Sequence, residues 1–392
     1  MIANTGVFKA PHGLNVFFKI SAVAGFVMFI VFTRLEPSRA WSSFVHNHFF
    51  FTSLAIGGLF FSAIQWLTGA MWSAPVRRLG ESFTAYLPFT AVSVLVLYFG
   101  IHHLYDWSHA EHVKVDQVLA GKSSYLNVTF FMIRNIVIPV VWLLFARKMV
   151  GNSVAQDSNG DPIFTKKNRI LSPPFLILFG LTFTVVSFDQ IMSLDPHWFS
   201  TIFGVYCFSG LFYSTLALIC LFTVYLKSKG RLDGIVNENH LHDLGKFMFA
   251  FTIFWAYIGF SQFMLIWYAN LPEETGYFLT RFHGGWLYVS IFLLVGKFFV
   301  PFFLLLRRGA KRNASRLAIV AIFMLFAQWV DVLWLVQPEF SHAGPKLGLV
   351  ELSVTLGFVG VFGLVVFRFL GKHNIVAVGD PRLAEAVSHH HQ

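Results

Sequence analysis

Charge is what this sequence has least of. Of 392 residues only 12% are Asp, Glu, Lys or Arg, about half of what a soluble domain carries, which argues against a water-facing fold. Cysteine is nearly absent: Cys207 and Cys220 are the only two, too few for a four-cysteine iron–sulfur site or a disulfide framework. No Walker loop, dinucleotide fingerprint, metalloprotease signature or Gly-x-Ser-x-Gly turn occurs, so the chain offers no self-contained catalytic machinery. The formal charge is +10, but the basic residues come as short clusters between apolar runs. They form no stripe and accompany no RNA or DNA motif, so nucleic acid is excluded as a partner.

What is present is hydrocarbon. Residues counted as hydrophobic make up 56% of the chain, with 48 Phe and 11 Trp, more than one globular core buries but suited to helices in lipid with aromatic belts at both interfaces. Runs of about 20 apolar residues, the length that crosses roughly 30 Å of hydrocarbon, occur ten times, near 14–33, 48–69, 84–105, 126–148, 173–195, 199–226, 241–268, 283–306, 315–337 and 350–370. Continuous runs of this length exclude a transmembrane barrel, whose strands are shorter and alternate. The expectation is an all-α polytopic membrane protein, one integral-membrane domain over 1–392. The first run follows Lys9 without a small-residue cleavage site, so it reads as a retained span. The segment 149–172, with "QDSNGDP", reads as a turn-rich connector, and the closing "SHHHQ" is given no function.

Nineteen of the twenty-five Lys and Arg residues outside the spans fall on the side of the termini. The positive-inside rule then puts both termini in the cytoplasm and the loops near 110, 275 and 343 outside. That orientation gives each intramembrane charge a depth. Asp189, Asp331 and Arg134 lie toward the outer side, while Lys19, Lys246 and Lys297 lie in the inner halves of their spans. A charge at mid-membrane costs about 2.5–3.5 kcal/mol on insertion scales, so such residues face the bundle interior and have a partner or a task. Snorkelling explains Lys19 and Lys246 more simply than function does. For Asp189 or Asp331, pairing with Arg134 is the structural explanation; the functional one is a carboxyl that takes and returns protons. Half-routes through Asp189 and Asp331 outside and Lys297 inside would be separated by a dry middle.

Asp195 precedes Pro196 and needs only a turn to explain it. If the third helix runs on through "GIHHLYDWSHAEH", His102, Asp106 and His109 share a stripe that could hold a metal or collect protons beside His103, although a solvated helix end explains them better. Every histidine reads as near or beyond a span end, which disfavours bis-histidine haem. "NLPEETGYFLTR" puts Glu273 and Glu274 among aromatics on the outer surface, a mix suited to docking a periplasmic subunit as much as to an interfacial belt.

The stretches "FDQIMSLDPHWFSTIFGVY" (188–206) and "GFSQFMLIWYANLPEETGYFLTRFHGGW" (259–286) resemble the NrfD-like membrane subunits of bacterial alternative complex III, most closely those of its F-subunit type. The resemblance covers nearly the whole chain. It implies two four-helix bundles, spans 2–5 and 6–9, flanked by spans 1 and 10. It also implies a respiratory complex of the bacterial inner membrane that oxidises quinol, with a second NrfD-like subunit and with iron–sulfur and multihaem cytochrome c subunits carrying the electrons. In that family the F subunit is linked to proton conduction through half-channels. The expected role is a cofactor-free membrane subunit that conducts protons, with quinone or quinol as the one candidate ligand besides lipids. Asp189, Asp331, Lys297, Arg134, His102, His103 and Lys246 are then the proton-path candidates, with Asp189 ranked above Asp331. A secondary transporter and a membrane anchor for peripheral redox subunits are the alternatives; the glycines and prolines give no clear pair of broken helices that a transporter would need.

Overall fold

The computed structural model describes residues 6–388; the three terminal histidines lie outside the described residues. Among the described residues ten helices are long and apolar enough to cross a membrane: His12–Leu35, Pro37–Thr68, Met71–Leu104, Val128–Asn159, Ile163–Leu194, Phe203–Ser228, Glu238–Ala269, Trp286–Leu306, Ala314–Glu339 and Leu349–Leu370. In lipid each backbone amide needs an internal partner, and a helix supplies one within the segment. No strand occurs among the described residues.

The second to fifth spans pack around one another in order, the fifth closing back on the second, and the sixth to ninth repeat that arrangement. The second span packs on the sixth and ninth and so joins the two four-helix sets. It is accordingly buried along nearly its whole length from Ala40 to Trp66. The first and tenth spans pair with each other beside the second and third. Glycine lets them do so: a Cβ on Gly25 would stand 2.3 Å from Gly357 Cα, the close backbone approach that small residues permit in membranes.

Several spans exceed their apolar runs, because helix continues into water on polar residues that hydropathy does not count. The expected connector 149–172 is mostly helix, and its turn is confined to residues 160–162, where Gly160 takes φ 65°. Arg77 and Arg78, counted above as loop charges, sit inside the third helix and are buried. Arg77 pairs with Glu81 and Asp380, and Arg78 with Glu81 and Asp157. These contacts clamp the C-terminal tail under the third span. Burial alone would raise the Asp380 carboxyl, but the Arg77 guanidinium holds it below the usual carboxylate range.

Candidate functional site

Each four-helix set carries a cation on its third helix and an acid on its fourth, and the two meet in the interior. In the first set Arg134 grips Asp189 with both nitrogens, Nε at 2.7 Å and Nη2 at 3.0 Å, the forked geometry that makes Arg–carboxylate pairs strong. Asn135 donates to the same carboxylate at 3.2 Å and receives from Gln190 at 2.8 Å. Asp189 is fully buried. The guanidinium lies between Tyr125 and Phe130, 3.9 and 4.1 Å from their ring centres, with Tyr125 O accepting from Nη1. Tyr125 lies just before the span, and its phenol is pushed up to about 12 by burial first and by Asp189 second.

In the second set Lys297 and Asp331 are 0% and 1% exposed. Lys297 Nζ donates to Asp331 Oδ2 at 2.7 Å and to Gln328 Oε1 at 2.6 Å, and Tyr206 OH donates to Asp331 Oδ1 at 2.5 Å. The ammonium also stands 4.1 Å from the centre of the Trp255 ring. The expectation that Lys297 and Asp331 lie at different depths with a dry middle between them is therefore wrong, because the two are in contact. Residue counting from the apolar limits misplaced Lys297, because the eighth helix starts at Trp286 and the ninth runs on to Glu339, which brings the two residues to similar depths. The eighth span also winds as a π-helix over Leu293–Phe299, a distortion that often marks functional positions. Of the two acids, Asp189 is the one that pairs with Arg134.

A cavity of about 680 Å³ opens beside this second pair, between the seventh span, the outer half of the eighth and the surface helix Pro272–Arg281. The inner half of the eighth span packs on the seventh while the outer half stands away from it, and the gap is the cavity. Its mouth is rimmed by Phe260, Ile291 and Leu294, exposed on the side that faces lipid. Its deep end is formed by Tyr206, Trp255 and Trp334. Trp255 Nε1 is buried without a hydrogen-bond partner among the described residues, an orphan donor of the kind that costs about 1–3 kcal/mol unless something accepts from it.

Arg281 fastens the surface helix over this space. It is 1% exposed, donates to the carbonyls of Trp334 and Leu335, pairs with Glu339 at 3.2 Å and stacks 3.4 Å from the Tyr277 ring centre. Counted in the sequence as an outside charge, it is a buried strut. Its neighbourhood in the chain offers only Tyr277; the carbonyls and the acid that hold it, of Trp334, Leu335 and Glu339, lie more than fifty residues on.

The other candidates are dispersed. Lys246 is exposed and reaches Asp243 at 2.6 Å, and Lys19 is exposed on the first span, both as snorkelling requires. His102 and His103 are exposed, and the third helix ends at Leu104, with Tyr105 extended. The helical stripe of His102, Asp106 and His109 therefore does not form, although His109 folds back to bond His102 O at 2.8 Å. No group of three metal-ligating side chains occurs among the described residues. Asp195 accepts from the amides of His197 and Trp198, the turn expected of it. Glu273 and Glu274 occupy the first turn of Pro272–Arg281, where the exposed amides of a helix favour acids whether or not a partner docks.

The sequence reading also missed His46 and His48. The second helix starts at Pro37, eleven residues before the apolar run, so both histidines lie inside it, buried. His46 meets Trp329 O at 2.9 Å and Asn47 meets Trp329 Nε1 at 3.2 Å, linking the two helix sets. The pattern "HNH" in an otherwise apolar helix was the available signal. No family model matches the chain, and no curated protein matches it.

Proposed function

We propose that this multi-pass membrane protein is the NrfD-like, F-type membrane subunit of a respiratory quinol oxidoreductase, and that its buried acid–base pairs move protons. Its electrons would pass to iron–sulfur and haem c groups in partner subunits, since two cysteines cannot ligate a cluster here. The observation that carries this reading is the lipid-open aromatic cavity whose deep end includes Tyr206, the residue that donates to the buried Asp331–Lys297 pair behind it. Oxidation of a quinol releases two electrons and two protons. A quinol ring entering from the bilayer would offer an oxygen to Trp255 Nε1, and its hydroxyl could donate to Tyr206 as Tyr206 passes its own proton to Asp331. The exchange moves one proton, leaves the tyrosine neutral and leaves a quinol monoanion whose charge the Lys297 ammonium balances once Asp331 is protonated. The second proton follows by the same route after Asp331 has passed on the first, as the two electrons leave for the partner subunits. Asp331 sits next to this cavity and Asp189 does not, which reverses the ranking expected from the sequence.

Filling the cavity tests the reading. A Cβ on Gly259 would stand 3.3 Å from the Tyr206 ring, at the cavity wall. Gly259→Phe is expected to lower quinol turnover about tenfold, equivalent to about 1.4 kcal/mol, with the complex still assembled. Undiminished turnover would remove the cavity from the mechanism.

The alternative of a secondary transporter calls for matched helix breaks in two halves. The π-helical stretch of the eighth span has no counterpart in the fourth, which is α-helical from Val128 to Asn159. In this proposal the protein lies in the bacterial inner membrane with both termini cytoplasmic, as its basic loops imply. Cysteines introduced singly at positions 275 and 160 check this: a membrane-impermeant reagent added from the periplasm should label 275 and spare 160, and the reverse would invert the topology.

A further inference from the structure

We infer that the groove between the third, fourth and tenth spans, at the end of the bundle that carries the termini, is a binding site for one anionic glycerophospholipid. The groove encloses about 410 Å³ and is lined by apolar side chains that include Pro88, Leu143, Val150 and Phe369. Its floor is open because small residues line it: a Cβ on Gly151 would meet nothing within 4 Å. Walls of this kind suit an acyl chain.

The rim decides which lipid. Arg147 and His373 are the two basic side chains that line the groove, with Lys148 and Lys372 next to them in the chain. Arg147 is exposed and makes no ion pair among the described residues. The contrast with its neighbours is informative. Arg77 and Arg78, at the same end of the third span, are satisfied by Glu81, Asp157 and Asp380, so the acids of this region are already engaged. Arg147 is thus a positive charge beside an apolar slot, without an ion pair among the described residues. His373 titrates below the usual imidazole value, through burial first and the charge of Arg78 second, so at neutral pH it serves as a hydrogen-bonding group beside the arginine. A phosphodiester matches this pair: a guanidinium binds two of its oxygens in a plane, and basic pockets between membrane helices on the anionic leaflet hold such headgroups.

The test uses the full chain purified in mild detergent, with melting temperature as the readout. Phosphatidylglycerol added to the micelles should raise it by several degrees, whereas phosphatidylcholine and inorganic phosphate should not. Arg147→Gln removes the charge and Gly151→Leu blocks the slot; each should abolish the rise, while Arg316→Gln, an exposed basic residue at the same end, should keep it. Equal stabilisation by phosphatidylcholine would make the groove a generic lipid surface. Stabilisation by phosphate alone would make it a free-anion site. Either result, or a full response in both groove variants, overturns the assignment.

Discussion

Lys297→Met is expected to destabilise the folded protein by about 3–5 kcal/mol, the cost of breaking a buried ion pair by removing one member. The magnitude follows from burial. Both partners are essentially inaccessible, so no water can replace the ammonium at Asp331, and Tyr206 OH is the only other donor within 3 Å of that carboxylate among the described residues. Removing both charges should do less harm than removing one. Lys297→Met combined with Asp331→Leu should recover most of the loss, because a well-packed apolar pair replaces a buried ionic one at little cost or with a gain. Thermal unfolding of the three proteins in the same detergent gives the comparison. A single variant as stable as the parent would show that the pair is solvated.

The first helix set is expected to respond asymmetrically. Arg134→Gln should cost about 3–5 kcal/mol, because it strands a carboxylate that is fully buried. Asp189→Asn should cost less. It leaves a cation that keeps the Tyr125 carbonyl at 3.2 Å and two aromatic faces, on a side chain still 10% exposed. The double variant should be more stable than Arg134→Gln alone, since neither charge is then stranded. If the two single variants fall equally, the guanidinium is as enclosed as the acid, and its ring contacts contribute nothing.

Much of this fold could be read from the chain. Ten apolar runs fixed the number of spans, since nothing else satisfies the backbone in hydrocarbon. The ends were misjudged wherever helix continued on polar residues, as at Pro37 and Asn159, and that error hid His46, His48 and the buried Arg77 and Arg78. The charged residues that form the site, Asp189, Arg134, Asp331 and Lys297, all stood out as charges in grease. Their pairing was only half legible: Asp189 with Arg134 was one of the two options considered, whereas Asp331 with Lys297 was hidden because the apolar limits of the eighth and ninth spans put the two at different depths. Tyr206, Trp255 and the cavity were not legible at all. An aromatic in a membrane helix looks the same whether it faces lipid, a neighbour or a void, and only packing distinguishes these.

The repeated placement of a cation on the third helix and an acid on the fourth of each set also escaped the sequence, because the residues differ, Arg with Asp in one and Lys with Asp in the other. The two sites nevertheless differ in surroundings. The Asp189 site is tied by four hydrogen bonds to Arg134, Asn135 and Gln190, whereas Asp331 touches a tyrosine at the end of an open cavity. In the proposed role a proton would enter at the second and meet a rigid pair at the first, so Asp189→Asn should lower turnover less than Asp331→Asn does.

The central claim, that Asp331 takes protons delivered through Tyr206, is tested most directly by Asp331→Asn in the assembled complex. Gln328 and the Trp255 ring still contact Lys297 in that variant, which lessens the cost of stranding its charge without removing it, so turnover is compared per assembled complex as scored on native gels. Quinol oxidation and the accompanying proton release are then measured together in reconstituted vesicles. Turnover is expected to fall about tenfold or more, a barrier of about 1.4 kcal/mol or higher, with proton release falling in step. An assembled variant that oxidises quinol at the parent rate with the parent proton yield would contradict the account.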